Sequence, residues 1–223
     1  MHPNHTKVPK NFCRLPSGYG VVKIGVSGAA ETTHYGLDAL EKAKEIGREI
    51  ALQGAIIVTG ATTGFPLYAS MGAKDECGFS IGLSPAATEL EHSDTYKLPL
   101  DFMDVVIYTG FGYAGRDLLF VRASDAMIIG PGRVGTYNEF SVAFEDRRPI
   151  GILEGPTWGT DKVLKQIIEQ AHRPTDRIIF SSDPKELVEK LIAMVMKQRT
   201  EDNLVYKNGD GWSGTNAKDA VIL

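Results

Sequence analysis

The sequence is poor in cysteine, in net charge and in long hydrophobic runs. Its 223 residues contain two cysteines, Cys13 and Cys77, too few for a disulfide scaffold, and no spacing of cysteine and histidine is typical of a zinc site. The formal net charge is −4, which argues against a nucleic-acid partner, because proteins that bind duplexes usually present a basic face. No apolar run approaches the roughly 20 residues that a membrane-spanning helix needs. We therefore expect a protein without a metal site that binds neither nucleic acid nor membranes.

The ends of the chain are polar. The first ten residues lack the apolar stretch of a secretory signal, which favours a cytoplasmic protein. The composition, 43% hydrophobic and 23% charged, is typical of a folded domain with one large core. We expect an N-terminal extension at residues 1–20, a single domain at residues 21–197 and an irregular C-terminal tail at residues 198–223.

Seven short apolar runs alternate with amphipathic segments along the central part of the chain. The runs, predicted as strands, are residues 21–27, 55–59, 79–83, 105–109, 126–129, 149–153 and 177–181. The predicted helices are residues 36–52, 64–76, 113–123, 136–145, 161–172 and 184–197. Continuously apolar strands separated by helices indicate a parallel sheet that is covered on both faces. The pattern therefore predicts an α/β fold, a Rossmann-like, doubly wound parallel sheet of about seven strands.

Four of the predicted strands end in loops rich in Gly, Ser or Thr, at residues 27–30, 59–64, 109–115 and 130–136. Glycine lets backbone N–H groups approach an anion closely, and the carboxyl ends of parallel strands meet at the edge of the sheet where ligands bind. The loops therefore predict a site for a small phosphorylated ligand, with Phe111 and Tyr113 as candidates for stacking on a base. The residues predicted to bind the ligand are Ser27, Gly28, Gly60, Thr62, Thr63, Gly64, Gly110, Gly132, Arg133, Val134, Gly135 and Thr136.

The fourth loop is the most specific of the four. It follows an apolar strand, and Gly135 and Thr136 open a helix whose N-terminal N–H groups would face an anion. Thr136 and Glu139 lie three residues apart, which allows two interpretations. In the first they form a capping box, in which each side chain caps a backbone amide of the other residue. In the second, Glu139 points into the cleft as a catalytic carboxylate. The spacing alone favours the capping box.

Residues 130–139, with the sequence GPGRVGTYNE, resemble the P-G-G-x-G-T-x-x-E motif of the LOG (LONELY GUY) family. Members of that family are nucleoside 5′-monophosphate phosphoribohydrolases, best known for releasing cytokinin bases and often mislabelled as lysine decarboxylases. Residues 116–125 have the length and the Ser-Asp ending of the family helix that begins with its catalytic arginine. The first two glycine loops are also similar to those of the family, and the resemblance spans roughly residues 21–195.

The resemblance implies roles for the matching residues. Glu139 falls on the catalytic glutamate and Arg116 on the catalytic arginine, while Gly132, Gly135 and Thr136 fall on the phosphate cradle. It implies a hydrolase of N-glycosidic bonds that needs no separate cofactor, and a homodimer or higher homo-oligomer. In such a reaction a carboxylate stabilises the positive charge that develops on the ribose, and an arginine holds the phosphate or the departing base.

The chain departs from the family motif at several positions. Arg133 replaces the second glycine of the motif, Asn138 stands where another glutamate is common, and Gly115 and Asp117 flank Arg116 where the family has Glu and Lys. These changes resemble a branch of the same superfamily that includes molybdenum-cofactor carrier proteins. The alternative is therefore a non-catalytic protein that binds or carries a nucleotide or a pterin cofactor.

Overall fold

A computed structural model describes residues 20–208 of the chain, with side chains described for residues 20–201. Seven strands form one sheet, and each overlaps one of the seven apolar runs. The strands are β1 (Lys23–Ser27), β2 (Ile56–Thr59), β3 (Ser80–Ser84), β4 (Val105–Tyr108), β5 (Ala126–Ile129), β6 (Ile150–Leu153) and β7 (Ile178–Ser181). Every pairing is parallel. The predicted Rossmann-like α/β fold is confirmed.

Helices cover both faces of the sheet: α1 (Leu37–Leu52), α2 (Phe65–Asp75), α3 (Gly112–Ala123), α4 (Val134–Glu145), α5 (Thr160–Gln170) and α6 (Pro184–Asn208). The helices α1, α2 and α6 pack into one hydrophobic core, and α3, α4 and α5 pack into the other. Consecutive strand residues alternate between the two cores, as Ile57 and Val58 do, which is why the strands are continuously apolar. None of the helices within residues 20–208 is long and apolar enough to span a membrane.

A π-helical turn, Glu91–Thr95, lies between β3 and β4 and was not predicted from the sequence. It contains His92, which is fully buried. The Nδ1 atom of His92 lies 2.8 Å from the hydroxyl oxygen of Ser84, and its Nε2 atom lies 3.0 Å from the carbonyl oxygen of Pro99. This histidine therefore fastens the connection to the end of β3.

Two helices differ from their predicted bounds. The helix α4 begins at Val134 rather than at Thr136, because the turn through Pro131 and Gly132 is complete by Arg133. The helix α6 continues to Asn208, so the predicted irregular tail at residues 198–223 is wrong for its first part. No glycine or proline lies between residues 198 and 208 to end the helix. The rest of that tail, and residues 1–19 of the predicted extension, lie outside the described residues.

The added length of α6 is anchored by Arg199. Its Nη2 atom lies 3.0 Å from the carboxylate of Asp125, and the guanidinium also donates to the carbonyl oxygens of Gly20 and Val21. Asp125 in turn accepts a hydrogen bond of 2.8 Å from the backbone N–H of Lys23. These contacts lie where β1 and β5 begin, at the edge of the sheet opposite the glycine-rich loops.

The order of the strands is β4-β3-β2-β1-β5-β6-β7. The chain moves outward from β1 to β4 and then returns to the middle of the sheet, where β5 pairs with the free side of β1. The loops that follow β1 and β5 therefore lead to helices on opposite faces. In open α/β sheets a crevice forms at such a topological switch point, outside the carboxyl ends of the strands.

Candidate functional site

A cleft of about 260 Å³ lies at the switch point between β1 and β5. Its walls come from the loops after β1, β2 and β5 and from residues of α2, α3 and α4. Nine of the fourteen residues predicted for the site line this cleft: Ser27, Gly28, Gly60, Thr62, Arg116, Arg133, Gly135, Thr136 and Glu139. The tertiary structure thus brings together residues from four separate segments of the sequence.

The other five predicted residues do not line the cleft: Thr63, Gly64, Gly110, Gly132 and Val134. Gly110 follows β4, the outermost strand, which is three strands away from β1. The hydroxyl of Thr63 donates to the carbonyl oxygen of Ala30 at 2.9 Å, which ties two loops together. Gly132 exchanges two hydrogen bonds with the hydroxyl of Thr160 at the start of α5. The strand order separates Gly110 from the site, whereas the other four lie within two residues of a lining residue in the chain.

Backbone hydrogen bonds hold the loops around the cleft in fixed positions. The N–H of Ala29 donates to the carbonyl oxygen of Pro131 at 2.7 Å, and the N–H of Gly130 donates to that of Ser27 at 2.9 Å. The N–H of Phe65 donates to the carbonyl oxygen of Ala29 at 2.9 Å. The loops after β1, β2 and β5 therefore form one connected frame, which reduces the entropy lost when a ligand binds.

Some glycines of these loops make room for side chains as well as for a ligand. A Cβ atom on Gly28 or on Gly130 would collide with the ring of Phe65, which is fully buried at the start of α2. A Cβ atom on Gly60 would collide with the guanidinium of Arg116. Close packing therefore explains part of the glycine pattern that the sequence attributes to phosphate binding alone.

Three charged side chains meet in the cleft and are almost completely buried. Arg116 and Asp117 come from α3 and Glu139 from α4, and their exposed fractions are 4%, 5% and 7%. The Nη1 atom of Arg116 lies 2.8 Å from Oε1 of Glu139 and 3.4 Å from Oδ1 of Asp117. Ser27 donates its hydroxyl to Oε2 of Glu139, and Asn138 donates its amide to Oδ2 of Asp117 at 2.7 Å. With both carboxyl groups ionised, this cluster carries one net negative charge.

Glu139 does not cap its own helix. Because α4 begins at Val134, Thr136 is the third helical residue and not the cap, and the position before the helix makes no side-chain cap hydrogen bond. Both carboxylate oxygens of Glu139 instead contact residues of other elements, Ser27 and Arg116. The capping-box interpretation is therefore wrong.

The pKa of Glu139 is raised to about 7, and burial is the main cause. The positive charge of Arg116 and the hydrogen bond from Ser27 act in the opposite direction, whereas the negative charge of Asp117 and a hydrogen bond between the two carboxyl groups raise the pKa further. A short ion pair would ordinarily lower the pKa of a glutamate. Here desolvation and the second carboxylate outweigh it, so Glu139 binds a proton close to neutral pH.

The mouth of the cleft offers hydrogen-bond donors to an anion. The first backbone N–H groups of α4, those of Val134, Gly135 and Thr136, have no partner within the helix, and no side chain caps them. Arg133, which precedes the helix, is 62% exposed in its side chain and lies 3.8 Å from the carboxylate of Glu31 across the cleft. Free N–H groups at a helix N-terminus beside an exposed arginine are a common setting for a phosphate or a carboxylate.

Three lining residues with polar side-chain groups were not among the predicted site residues: Glu31, Tyr113 and Asp117. Asp117 was noted only as a departure from the family motif, and Glu31 gave no signal, since it lies in the loop after β1 and meets Arg133 only in the folded chain. Of the two stacking candidates, Tyr113 lines the cleft, whereas Phe111 does not and is 69% exposed. The position of Tyr113 on the first turn of α3 accounts for the difference.

Known proteins share this sequence pattern and fold. An uncharacterized protein from Archaeoglobus fulgidus is 29% identical over 136 residues, which is 61% of this chain and 82% of that protein. The molybdenum cofactor binding protein from the phototrophic bacterium Rippkaea orientalis has a similar structure, with a TM-score of 0.65 and 25% identity. The match covers 80% of this chain and 99% of that one.

The molybdenum cofactor carrier protein from Chlamydomonas reinhardtii gives a TM-score of 0.64 at 24% identity, covering 79% of this chain and 99% of that one. At this level of identity the likeness shows the fold alone. The family comparison is more specific, because one family model matches residues 21–188, which include every residue that lines the cleft. The resemblance seen in the motif at residues 130–139 is thus confirmed, and the chain belongs to the SLOG cluster4 family.

Proposed function

We propose that this protein binds a small phosphorylated ligand of the nucleotide or pterin class in the cleft at the switch point, and carries it without hydrolysis. The observation that carries this proposal is the position of Arg116, whose Nη1 atom faces the carboxylates of both Glu139 and Asp117. A guanidinium that already contacts two buried carboxyl groups has little left to stabilise the charge that develops in a transition state.

The phosphate end of the ligand is assigned to the mouth of the cleft. The free N–H groups at the start of α4 point to an anion, and Arg133 adds a side chain that can donate two hydrogen bonds to phosphate oxygens. Gly135 contributes to this position because nothing lies within 4 Å of the place where its Cβ atom would be. The rest of the ligand would extend toward Tyr113, whose ring can stack on a flat heterocycle.

The arrangement of Glu139 also argues for carriage over cleavage. Glycosidic hydrolysis needs a carboxylate that is free to stabilise the oxocarbenium ion and to orient a water molecule. Both oxygens of Glu139 are engaged, one by Ser27 and the other by Arg116. The names of the Rippkaea orientalis and Chlamydomonas reinhardtii proteins refer to binding and carrying the molybdenum cofactor, which is a phosphorylated pterin, and support the same proposal.

A second candidate function is hydrolysis of a nucleoside 5′-monophosphate, and one observation favours it. The pKa of Glu139 is raised to about 7, so that the residue could donate a proton to a departing base at neutral pH. This possibility requires ligand binding to separate Glu139 from Arg116, which would then be available to the phosphate.

The two functions are separated by incubating the protein with AMP, GMP and a phosphorylated pterin. Binding is measured by calorimetry, and release of ribose 5-phosphate is assayed from the two nucleotides. Carriage predicts saturable binding of at least one ligand and no ribose 5-phosphate above the level without protein. Release that is lost in Glu139→Gln would instead establish the hydrolase, and the absence of binding by all three would contradict both functions.

Replacing Arg133 tests where the phosphate lies. We expect Arg133→Ala to weaken binding of the phosphorylated ligand by about tenfold, which corresponds to one charge-assisted contact. The control is Arg122→Ala on α3, because Arg122 pairs with Asp146 and does not line the cleft. Equal losses in the two variants would show that Arg133 makes no specific contact.

We further propose a homodimer that forms through the exposed apolar surface of α3 and β4. This surface, the α3–β4 face, has side chains that are 39–69% exposed: Val105, Ile107, Phe111, Leu118 and Leu119. Val105 and Ile107 pair in register with Ile81 and Leu83 of β3, which pack into the core beneath α3. The two β4 side chains therefore point to the same side of the sheet as α3, and no helix of the described region covers them.

A second copy of this chain is the occupant that fits best. The family resemblance implies a homodimer, and an apolar face on one helix and one edge strand can pair with itself across a two-fold axis. Large apolar side chains grouped in this way on a protein surface are typical of an interface.

A further inference from the structure

The buried cluster in the cleft departs from the LOG family motif at the residue that follows the arginine. The family motif places a lysine after the arginine, and this chain has Asp117 there. That difference changes the charge at the position after the arginine by two units, from positive to negative. Asp117 is not a solvated surface residue, since only 5% of it is exposed and Asn138 holds one of its oxygens at 2.7 Å.

Three polar or charged side chains face Glu139, and they come from two elements packed against it, β1 and α3. From β1 comes the hydroxyl of Ser27, and from α3 come Arg116 and Asp117. The other charged residues that line the cleft, Glu31 and Arg133, lie at its mouth and pair with each other. Arg116 is therefore the one cation beside two carboxylates among the buried residues that line the cleft.

Two carboxylates on one guanidinium leave one negative charge without a partner in a site shielded from water. Such a charge is costly in a buried site, and proteins commonly remove the cost by binding a proton. Oδ2 of Asp117 accepts a hydrogen bond from the amide nitrogen of Asn138, which can only donate. Glu139 offers a better site for the proton, because the Ser27 hydroxyl beside it can accept a hydrogen bond from a protonated carboxyl as readily as it can donate one.

We propose that Asp117 is a positioning residue that keeps a proton on Glu139 by offering Arg116 a second carboxylate, and that binding of an anionic ligand in the cleft is thereby linked to uptake of a proton from solvent. The assignment of Asp117 depends only on the geometry of the cluster. The linkage to a ligand rests on the proposed function. The pKa of Glu139, raised to about 7 mainly by burial and further by Asp117, agrees with the assignment.

The direction of the linkage follows from charge. An anion at the mouth of the cleft makes a negative charge on Glu139 less favourable, so binding increases the affinity of Glu139 for its proton. Near pH 8, where Glu139 is mostly ionised in the free protein, binding takes up a proton. Near pH 5.5, where Glu139 is already protonated, binding takes up almost none.

The assignment is tested by following the side-chain carboxyl carbons by NMR as a function of pH. In the unmodified protein one glutamate carboxyl should titrate with a midpoint near 7, and this signal should be absent from Glu139→Gln. In Asp117→Asn the midpoint should move down by about one pH unit, because a like charge has been removed. An asparagine keeps the shape of Asp117 and can still accept the hydrogen bond from Asn138.

The control is Asp125→Asn, at the opposite edge of the sheet. Asp125 also accepts hydrogen bonds and pairs with cations, namely Lys23 and Arg199, so its replacement should cost stability without moving the Glu139 midpoint. If the midpoint in the unmodified protein lies below 5, or stays in place in Asp117→Asn, then Asp117 does not hold a proton on Glu139. Equal shifts of the Glu139 midpoint in Asp117→Asn and Asp125→Asn would also show that Asp117 does not hold a proton on Glu139.

The linkage is tested by calorimetry with adenosine 5′-sulfate, whose sulfate ester keeps a constant charge between pH 5 and pH 9. Titrations in buffers of different ionisation enthalpy count the protons taken up. We expect uptake near pH 8 that vanishes near pH 5.5 and that is smaller at pH 8 in Asp117→Asn. Binding without proton uptake would overturn the linkage. No binding of this ligand, of AMP, of GMP or of a phosphorylated pterin, together with a Glu139 midpoint near 7 that moves down in Asp117→Asn, would overturn the proposed function and the linkage while leaving the assignment of Asp117 intact.

Discussion

Glu139 binds a proton more tightly in the folded protein than an exposed glutamate does. Its ordinary pKa is 4.5, and in the fold the pKa is raised to about 7, with burial as the largest cause. A group whose pKa is raised on folding adds stability that is fully present below the unfolded value and is lost as the pH rises through the folded value. The relevant range is therefore from pH 4.5 to slightly above pH 7.

Replacement of Glu139 by glutamine should remove this pH dependence. The raised pKa corresponds to a change on the order of 3 kcal/mol in the free energy of unfolding across that range. We therefore expect the difference in stability between the unmodified protein and Glu139→Gln to change by up to that amount between pH 5 and pH 8, in favour of the variant at high pH. Urea denaturation at four pH values measures it.

A matched control lies on the same helix. Glu145→Gln alters an exposed carboxylate at the end of α4 that pairs with Arg173, so it should leave the pH dependence nearly unchanged. Parallel curves for the unmodified protein and Glu139→Gln between pH 5 and pH 8 would show that Glu139 has an ordinary pKa in the fold.

At the level of elements, the decisive feature is the N-terminus of α4. It begins directly after the loop of β5, and its free N–H groups lie at the switch point because β5 pairs with β1. Gly135 occupies the second helical position and lines the cleft. A Cβ atom there would have no neighbour within 4 Å, so no protein contact requires glycine at this position.

Replacement of Gly135 by alanine should therefore separate stability from binding. Alanine in a helix loses less conformational entropy than glycine, so we expect the variant to be as stable as the unmodified protein or more stable by up to about 1 kcal/mol. The added methyl group would occupy the space assigned to the phosphate, and binding should weaken by at least about tenfold. Thermal unfolding and calorimetry measure the two effects.

The neighbouring residue provides the control. Val134 is 80% exposed and does not line the cleft, so Val134→Ala should affect neither quantity by much. Unchanged affinity in Gly135→Ala would place the phosphate away from the start of α4 and would contradict the proposed position of the ligand.

At the scale of the whole molecule, the sheet ends in an edge strand with an apolar side that no helix within residues 20–208 covers. The α3–β4 face joins this strand to the helix that supplies Arg116 to the cleft. A charge placed at its centre should prevent two copies from packing together. We expect Ile107→Lys to convert a dimer into a monomer by sedimentation velocity, without a large loss of stability, because Ile107 is already 48% exposed.

The control for this variant is Leu52→Lys. Leu52 is 61% exposed at the end of α1, on the other face of the sheet, so the same substitution there should leave the dimer intact. A monomeric unmodified protein, or a dimer that survives Ile107→Lys, would exclude the α3–β4 face as the interface.

Local sequence patterns predicted the elements well because their causes are local. Most strands were recognisable because both of their faces are buried, and each apolar run overlaps one strand of the sheet. The strand β4 is apolar although one of its faces is exposed. The bounds of α4 and α6 were less predictable. The start of α4 depends on how the preceding turn closes, and the end of α6 depends on the absence of any stop signal and on the contacts of Arg199.

The sequence by itself determined the fold class, the glycine-rich loops at the carboxyl ends of the strands and the motif that identifies the family. These features follow from residue periodicity and from the conformational freedom of glycine. Only the tertiary structure decided which loops meet. The outer position of β4 keeps Gly110 out of the cleft, and the return of β5 to the middle of the sheet brings Glu139 to Ser27.

The tertiary structure also decided the chemistry of the site. Spacing along the chain relates only residues within one or two helical turns. The spacing of Thr136 and Glu139 therefore suggested a helix cap, and no spacing suggested a role for Asp117. The packing of α3 against α4 places Arg116 between Asp117 and Glu139 and shields all three from water. Charge interactions strengthen when water is excluded, and burial depends on the assembly of distant segments. For that reason the protonation of Glu139 could be inferred from the folded molecule and not from its sequence.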